Sequence, residues 1–105
     1  MLDLDRIVKI GFSAEQGKAL LREMERIDYV YGSSSDQVKQ ASREDQILAL
    51  SYALKVFGDA DKCVNWLCKK WGRIGGEVPL ALIKSRQGCI DLTNALVQID
   101  YGFFA

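Results

Sequence analysis

Cys63, Cys68 and Cys89 are the side chains best suited to covalent or metal chemistry, and they must act without histidine, because the sequence has none. Cys63 and Cys68 are spaced C-x4-C, which falls within the range of zinc ligands. A structural zinc takes four ligands, however, and only one further cysteine exists. The missing histidine also removes the commonest general base and both the Ser-His-Asp and Cys-His nucleophile arrangements. Cys63 and Cys68 lie on the apolar face of a helical pattern and read as small buried hydrophobes.

Other candidates resolve the same way. Gly72-Arg73-Ile74-Gly75-Gly76 is glycine-rich but lacks the Gly-Lys-Ser/Thr of a phosphate loop, so it reads as a turn. Lys69, Lys70 and Arg73 beside it suit a solvated helix end. Asp59 and Asp61 are close, but Asp59 is placed to cap a helix. Asp91 and Asp100 have no evident acidic partner, and no carboxylate pair stands out as a general acid and base. The residues thus predict no catalytic, metal or cofactor site. The aromatics are more telling. Trp66 lies off the apolar stripe of its helix and needs a second layer or a partner, whereas Trp71 continues that stripe. Tyr101, Phe103 and Phe104 place three rings in four residues. At about 25 cal/mol per Å² of apolar surface, such rings either fold back onto the domain or bury themselves in another protein.

The elements that position these residues are helical. Leu4, Ile7 and Val8 predict a short helix that stops near Gly11. Ser13-Ala14-Glu15-Gln16 is a capping-box pattern, followed by the stripe Leu20, Leu21, Met24, Ile27 and Tyr31. Gly32 and three serines end that helix, and Asp36 or Ser42 caps the next. Ile47, Leu50, Leu54 and Phe57 line a helix over 43–57, with Gly58 at its left-handed end and Asp59 as the following cap. Ala60, Cys63, Val64, Leu67, Cys68 and Trp71 make the cleanest amphipathic pattern. Pro79 opens a short helix. Ser85 caps a last helix through Cys89, Leu92, Leu96 and Ile99, which Gly102 stops. The fold class is therefore all-α, a small bundle of about five or six helices.

Composition bounds the function. With 105 residues, 49% hydrophobic and 27% charged, the chain is long enough for one core and unlike a disordered segment. Its formal net charge of zero argues against a general polyanion binder. No window approaches the ~20 apolar residues of a membrane span. The odd cysteine count and an N-terminus without a basic, apolar leader point to a cytoplasmic protein with free thiols.

Along residues 56–105 one ordered set remains: Val56-Phe57-Gly58-Asp59, Trp66-Leu67, Gly75-Gly76, Pro79-Leu80, Gly88 and Ile99-Asp100-Tyr101-Gly102-Phe103-Phe104-Ala105. In order and spacing it resembles the toxin-binding domain of the Xre/MbcA/ParS antitoxins. The resemblance implies a type II toxin–antitoxin system, a RES-domain toxin that depletes NAD as the partner, and an antitoxin without enzymatic activity. It places residues 46–105 as the toxin-binding domain and 1–45 as an N-terminal helical region. It also implies that Tyr101, Gly102, Phe103, Phe104 and Ala105 lie near the entrance to the toxin's active site. Gly75-Gly76 and Pro79-Leu80 would maintain the domain's shape.

Departures from the family pattern are few. Trp71-Gly72 stands where relatives often carry Asn, and Ser85 where they carry Thr. Many relatives bear a helix-turn-helix upstream. Residues 1–45 lack its second helix rich in Arg or Lys, which argues against DNA as a partner. Family members often dimerise, and the stripe Leu20, Met24, Ile27, Tyr31 is the expected homodimer contact, with packing inside the chain's own bundle as the rival use of it. The competing readings are a DNA-binding repressor and a helical interaction domain with another partner.

Overall fold

The computed structural model describes residues 2–31, 41–70 and 78–102. Among these are six helices and no strand, so the all-α expectation holds. They are α1 (Leu4–Lys9), α2 (Ala14–Tyr31), α3 (Arg43–Phe57), α4 (Ala60–Leu67), a 3-10 helix (Pro79–Lys84) and α5 (Arg86–Asp100). The expected break at residues 32–35, the Asp36 cap, the side chains of Tyr31 and Trp71, and the glycine turn at 72–76 lie outside the described residues.

Each of the five α-helices starts where a short polar side chain satisfies one or more of its first N–H groups. Asp3 Oδ1 accepts from Arg6 N at 2.9 Å to open α1. Ser13 and Gln16 form the reciprocal box at α2, with Ser13 N donating to Gln16 Oε1 at 2.8 Å and Gln16 N to Ser13 Oγ at 3.1 Å. Ser42 and Asp45 repeat this arrangement at α3, with both bonds at 3.1 Å. Asp59 Oδ1 accepts from Asp61 N at 2.8 Å and Lys62 N at 3.3 Å, so one carboxylate caps α4. Pro79 sits in the first turn of the 3-10 helix, and Ser85 Oγ accepts from Gly88 N at 2.9 Å to open α5.

Between α3 and α4 the chain turns through Gly58, whose φ of 68° is left-handed. A Cβ there would meet nothing within 4 Å, so an added side chain would feel the backbone penalty alone. Gly58→Ala should therefore lower unfolding free energy by about 1 kcal/mol in a urea titration, with an unchanged m-value.

The apolar stripes converge on one core. Ile7 of α1, Leu20 and Ile27 of α2, Leu50 of α3, Leu67 of α4, Leu80 and Ile83 of the 3-10 helix, and Leu92 and Leu96 of α5 are all buried in it. Leu20 and Ile27, half of the stripe expected at a dimer contact, are thus committed inside the chain, while Leu21 and Met24 are half-buried. In α3 the residues facing inward are Ala49, Leu50 and Ala53, and the larger Ile47, Leu54 and Phe57 pack at its margin. Small side chains let α5 approach α3 closely. Val8, grouped in sequence with Leu4 and Ile7, is turned outward. Trp66 finds its second layer within the chain: it is buried, with its ring 5.4 Å from that of Phe57 and tilted by 43°.

Two hydrogen bonds set the ends of α3 and α5 side by side. Ala41 N donates to Lys84 O at 3.2 Å, and Gln46 Nε2 donates to Ile83 O at 3.0 Å. The residues just before α3 and just before α5 are thereby fastened together, so the two helices begin at the same end of the bundle. A third tie, Gln16 Nε2 to Asp61 Oδ1 at 2.5 Å, joins the starts of α2 and α4.

Candidate functional site

The cysteines are placed for packing. Cys63 and Cys89 are buried and Cys68 is half-buried. Burial, and secondarily Cys68, push the Cys63 thiol up to about 12. Burial, then Glu23, push Cys68 up to about 11 against a smaller opposing effect of Arg26. Burial and the Asp45 carboxylate push Cys89 up to about 11. The thiolate is the reactive and metal-binding form, so all three stay protonated near neutrality. Among the described residues no three His, Cys, Asp or Glu side chains gather as a metal site would need. Asp59 is occupied as a cap, and Asp91 accepts from Gln87 Nε2 at 3.0 Å.

At pH 8 a thiol reagent should label Cys63 and Cys89 at least about 100-fold more slowly in the native chain than in urea, as mass spectrometry would read. Unfolding lowers these pKa values toward the ordinary thiol value of 9.0, so the unfolded chain loses protons first. The thiols' contribution to stability is therefore fully present below pH 9 and is lost as pH rises toward 11 and 12.

A different kind of site lies along the outward side of α5. At 100° per residue, Ile90, Asn94, Val97 and Tyr101 return to within about 40° of one line down the helix. Its core side carries Cys89, Leu92 and Leu96. On the outward line Ile90 is 48% exposed and Tyr101 is 73% exposed. After Tyr101 the chain leaves the helix. Tyr101 N still donates to Val97 O at 3.1 Å and Gly102 N to Ile99 O at 3.0 Å, but Gly102 has a φ of 83°, where other residues are disfavoured. A Cβ on Gly102 would have nothing within 4 Å, so the glycine is required there by its backbone conformation and not by crowding. Of the five residues expected at the site, the structure places Tyr101 and Gly102 together at this exit, whereas Phe103, Phe104 and Ala105 lie outside the described residues.

Up the same face, α3 and α5 enclose a groove of about 500 Å³. Leu48 and Tyr52 line one wall, Ile90 and Asn94 the other, with Asp45 and Arg86 at the end where both helices start. Leu48 is 68% exposed, an unusual position for a large aliphatic side chain beside a concavity. Leu48 and Ile90 went unread in the sequence, although each stands one position off its helix's core stripe. That displacement was the available signal. A second depression, between α2 and α4, is mixed: Ala19, Val64 and Cys68 line it beside Arg22, Glu23, Arg26 and Asn65, and Arg26 pairs with Glu23 at 2.5 Å.

Among curated proteins, this chain is similar to antitoxin Xre of Pseudomonas putida, at 32% identity over 68 residues. The aligned stretch covers 65% of this chain and 42% of that protein, so the chain spans less than half of the relative's length. No family model and no solved structure matches the chain. Among the described residues no helix is long and apolar enough to cross a membrane.

Proposed function

We propose that this chain is the antitoxin of a type II toxin–antitoxin pair, a binding protein that performs no chemistry of its own. Its partner in this reading is a RES-domain toxin that consumes NAD. The antitoxin docks on the toxin and lays its C-terminal end, Tyr101 to Ala105, across the entrance to the toxin's active site. The similarity to antitoxin Xre supports the general role. The observation that supports the site is the end of α5: an exposed Tyr101 ring followed by the left-handed Gly102, at which the helix stops.

The residues there suit occlusion on physical grounds. Phenylalanine offers a large apolar area with few rotatable bonds, so little entropy is lost when Phe103 and Phe104 become ordered against a partner. Cys63, Cys68 and Cys89 are held in their unreactive form, in keeping with a role that needs binding alone. A homodimer, in this reading, is built from surface other than Leu20 and Ile27, which the core already uses. A light-scattering mass above that of one chain would register it.

The test is co-expression with the neighbouring open reading frame. The expected result is rescue of growth and co-purification of the two polypeptides. A chain that neither protects cells nor retains the neighbour would overturn the reading. Salt-sensitive binding to its own promoter, without either of those results, would favour a repressor instead.

A further inference from the structure

The tail and Tyr101 alone offer too little surface for a stable complex. A standard interface buries about 800 Å² on each partner, some 20 residues, and five residues at a helix end fall well short. A toxin held at the C-terminal end must also rest on an adjoining face. The geometry of α5 limits which one. Ile90 and Tyr101 are eleven residues apart, which puts them about 20° apart around the helix and about 16 Å apart along it. A body seated on Tyr101 therefore continues along the same line onto Ile90 and into the α3–α5 groove.

That groove is shaped to receive a side chain. Leu48 from α3 and Ile90 from α5 both line it, 68% and 48% exposed, together with Tyr52. Single exposed aliphatic residues are ordinary, but two that border one concavity of about 500 Å³ form a pocket with an apolar centre. Polar groups occupy its ends, Asp45 and Arg86 at one and Asn94 at the other, which is the arrangement of an apolar interface centre with a polar rim.

We infer that the α3–α5 groove is the second half of the toxin-docking surface, and that it takes an aliphatic or aromatic side chain which the toxin inserts between Leu48 and Ile90. This inference rests on the antitoxin reading above. The toxin thereby grips the antitoxin at two places on one face. The groove supplies affinity and register, and the block is supplied beyond Tyr101, which lies about 16 Å along α5 from Ile90.

The test uses the full chain co-expressed with the toxin encoded beside it. Leu48→Arg and Ile90→Arg should each weaken toxin binding at least tenfold, with the thermal midpoint of the free antitoxin unchanged, because both side chains are exposed. Val8→Arg, a change to an exposed aliphatic residue of α1 outside the groove, should leave binding as it was. Should an arginine variant fold poorly, Leu48→Ala and Ile90→Ala serve in its place, with an expected loss of about threefold each. Binding within twofold of the original for both groove positions, while deletion of residues 103–105 still abolishes protection, would reject the groove and leave the antitoxin reading standing. A wild-type chain that fails to bind the toxin would remove both. A toxin-free dimer that Leu48→Arg and Ile90→Arg dissociate would assign the groove to a second copy and overturn the inference.

Discussion

Replacing Gly88 by alanine should cost about 3 kcal/mol or more, a large share of the 5–15 kcal/mol that holds a domain of this kind together. The φ of Gly88 is ordinary for a helix, so the effect is steric. A Cβ at this position would lie 1.9 Å from Leu82 O, 2.7 Å from Leu82 C and 2.8 Å from Ser85 Oγ. The first two are backbone atoms, so no rotamer change relieves them. Moving the 3-10 helix away would disturb the buried Pro79, Leu80 and Ile83 and the bonds from Ala41 N and Gln46 Nε2 that fasten it to α3. Moving α5 would pull Gly88 N from Ser85 Oγ, losing the cap. Overpacking of a core costs about 1–3 kcal/mol and a lost cap about 1 kcal/mol, and here the two come together. A urea titration of Gly88→Ala checks this, with Gly102→Ala, where space is open, as the milder comparison. A Gly88→Ala midpoint equal to that of the unsubstituted chain would show that the 3-10 helix and α5 can separate freely.

Deleting Phe103, Phe104 and Ala105 should abolish protection against the toxin while leaving the helical fold intact. Burying a phenylalanine is worth about 1.5–3 kcal/mol, so losing two should weaken the complex by at least about 100-fold. The fold should survive because the last helix is anchored upstream, by Cys89, Leu92 and Leu96 in the core, and ends at Asp100. Thermal melting of the truncated chain, an affinity measurement and a growth assay together separate the two effects. A bulky tag after Ala105 should weaken protection for the same reason. A truncated chain that still blocks NAD consumption at full strength would place the inhibitory surface on the helices.

Both predictions concern residues already prominent in the sequence, but for different reasons. Gly88 stood out as one member of an ordered motif, without a physical role. Its role is the contact between Leu82 and the first turn of α5, which exists only once the 3-10 helix has packed. The C-terminal aromatics stood out by type, because three rings in four residues are costly in water. The outward direction of the Tyr101 ring came from the phase of α5 against the core.

What the sequence by itself determined is the local grammar. Ser13 with Gln16, Ser42 with Asp45, Asp59, and Ser85 each bond to backbone two or three residues away, so the starts of α2, α3, α4 and α5 were legible without any tertiary contact. Gly58 and Gly102 were legible for the same reason, since a left-handed exit is set by the residue that adopts it. Periodicity further assigned Cys63 and Cys89 to the interior, away from chemistry. Tertiary structure decided what periodicity leaves degenerate. A stripe of 3.6-residue period shows that a helix has an apolar side, but the width of that side depends on how closely its neighbours approach. Trp66, off the stripe, is covered because Phe57 from α3 reaches it, whereas Leu48, Ile90 and Val8 are left outside because none of the described elements packs over them. The α3–α5 groove follows from the same cause. It lies between two helices whose first residues, Arg43 and Arg86, are 43 positions apart, joined at their starts by Ala41 with Lys84 and Gln46 with Ile83, and no local spacing encodes such a juxtaposition.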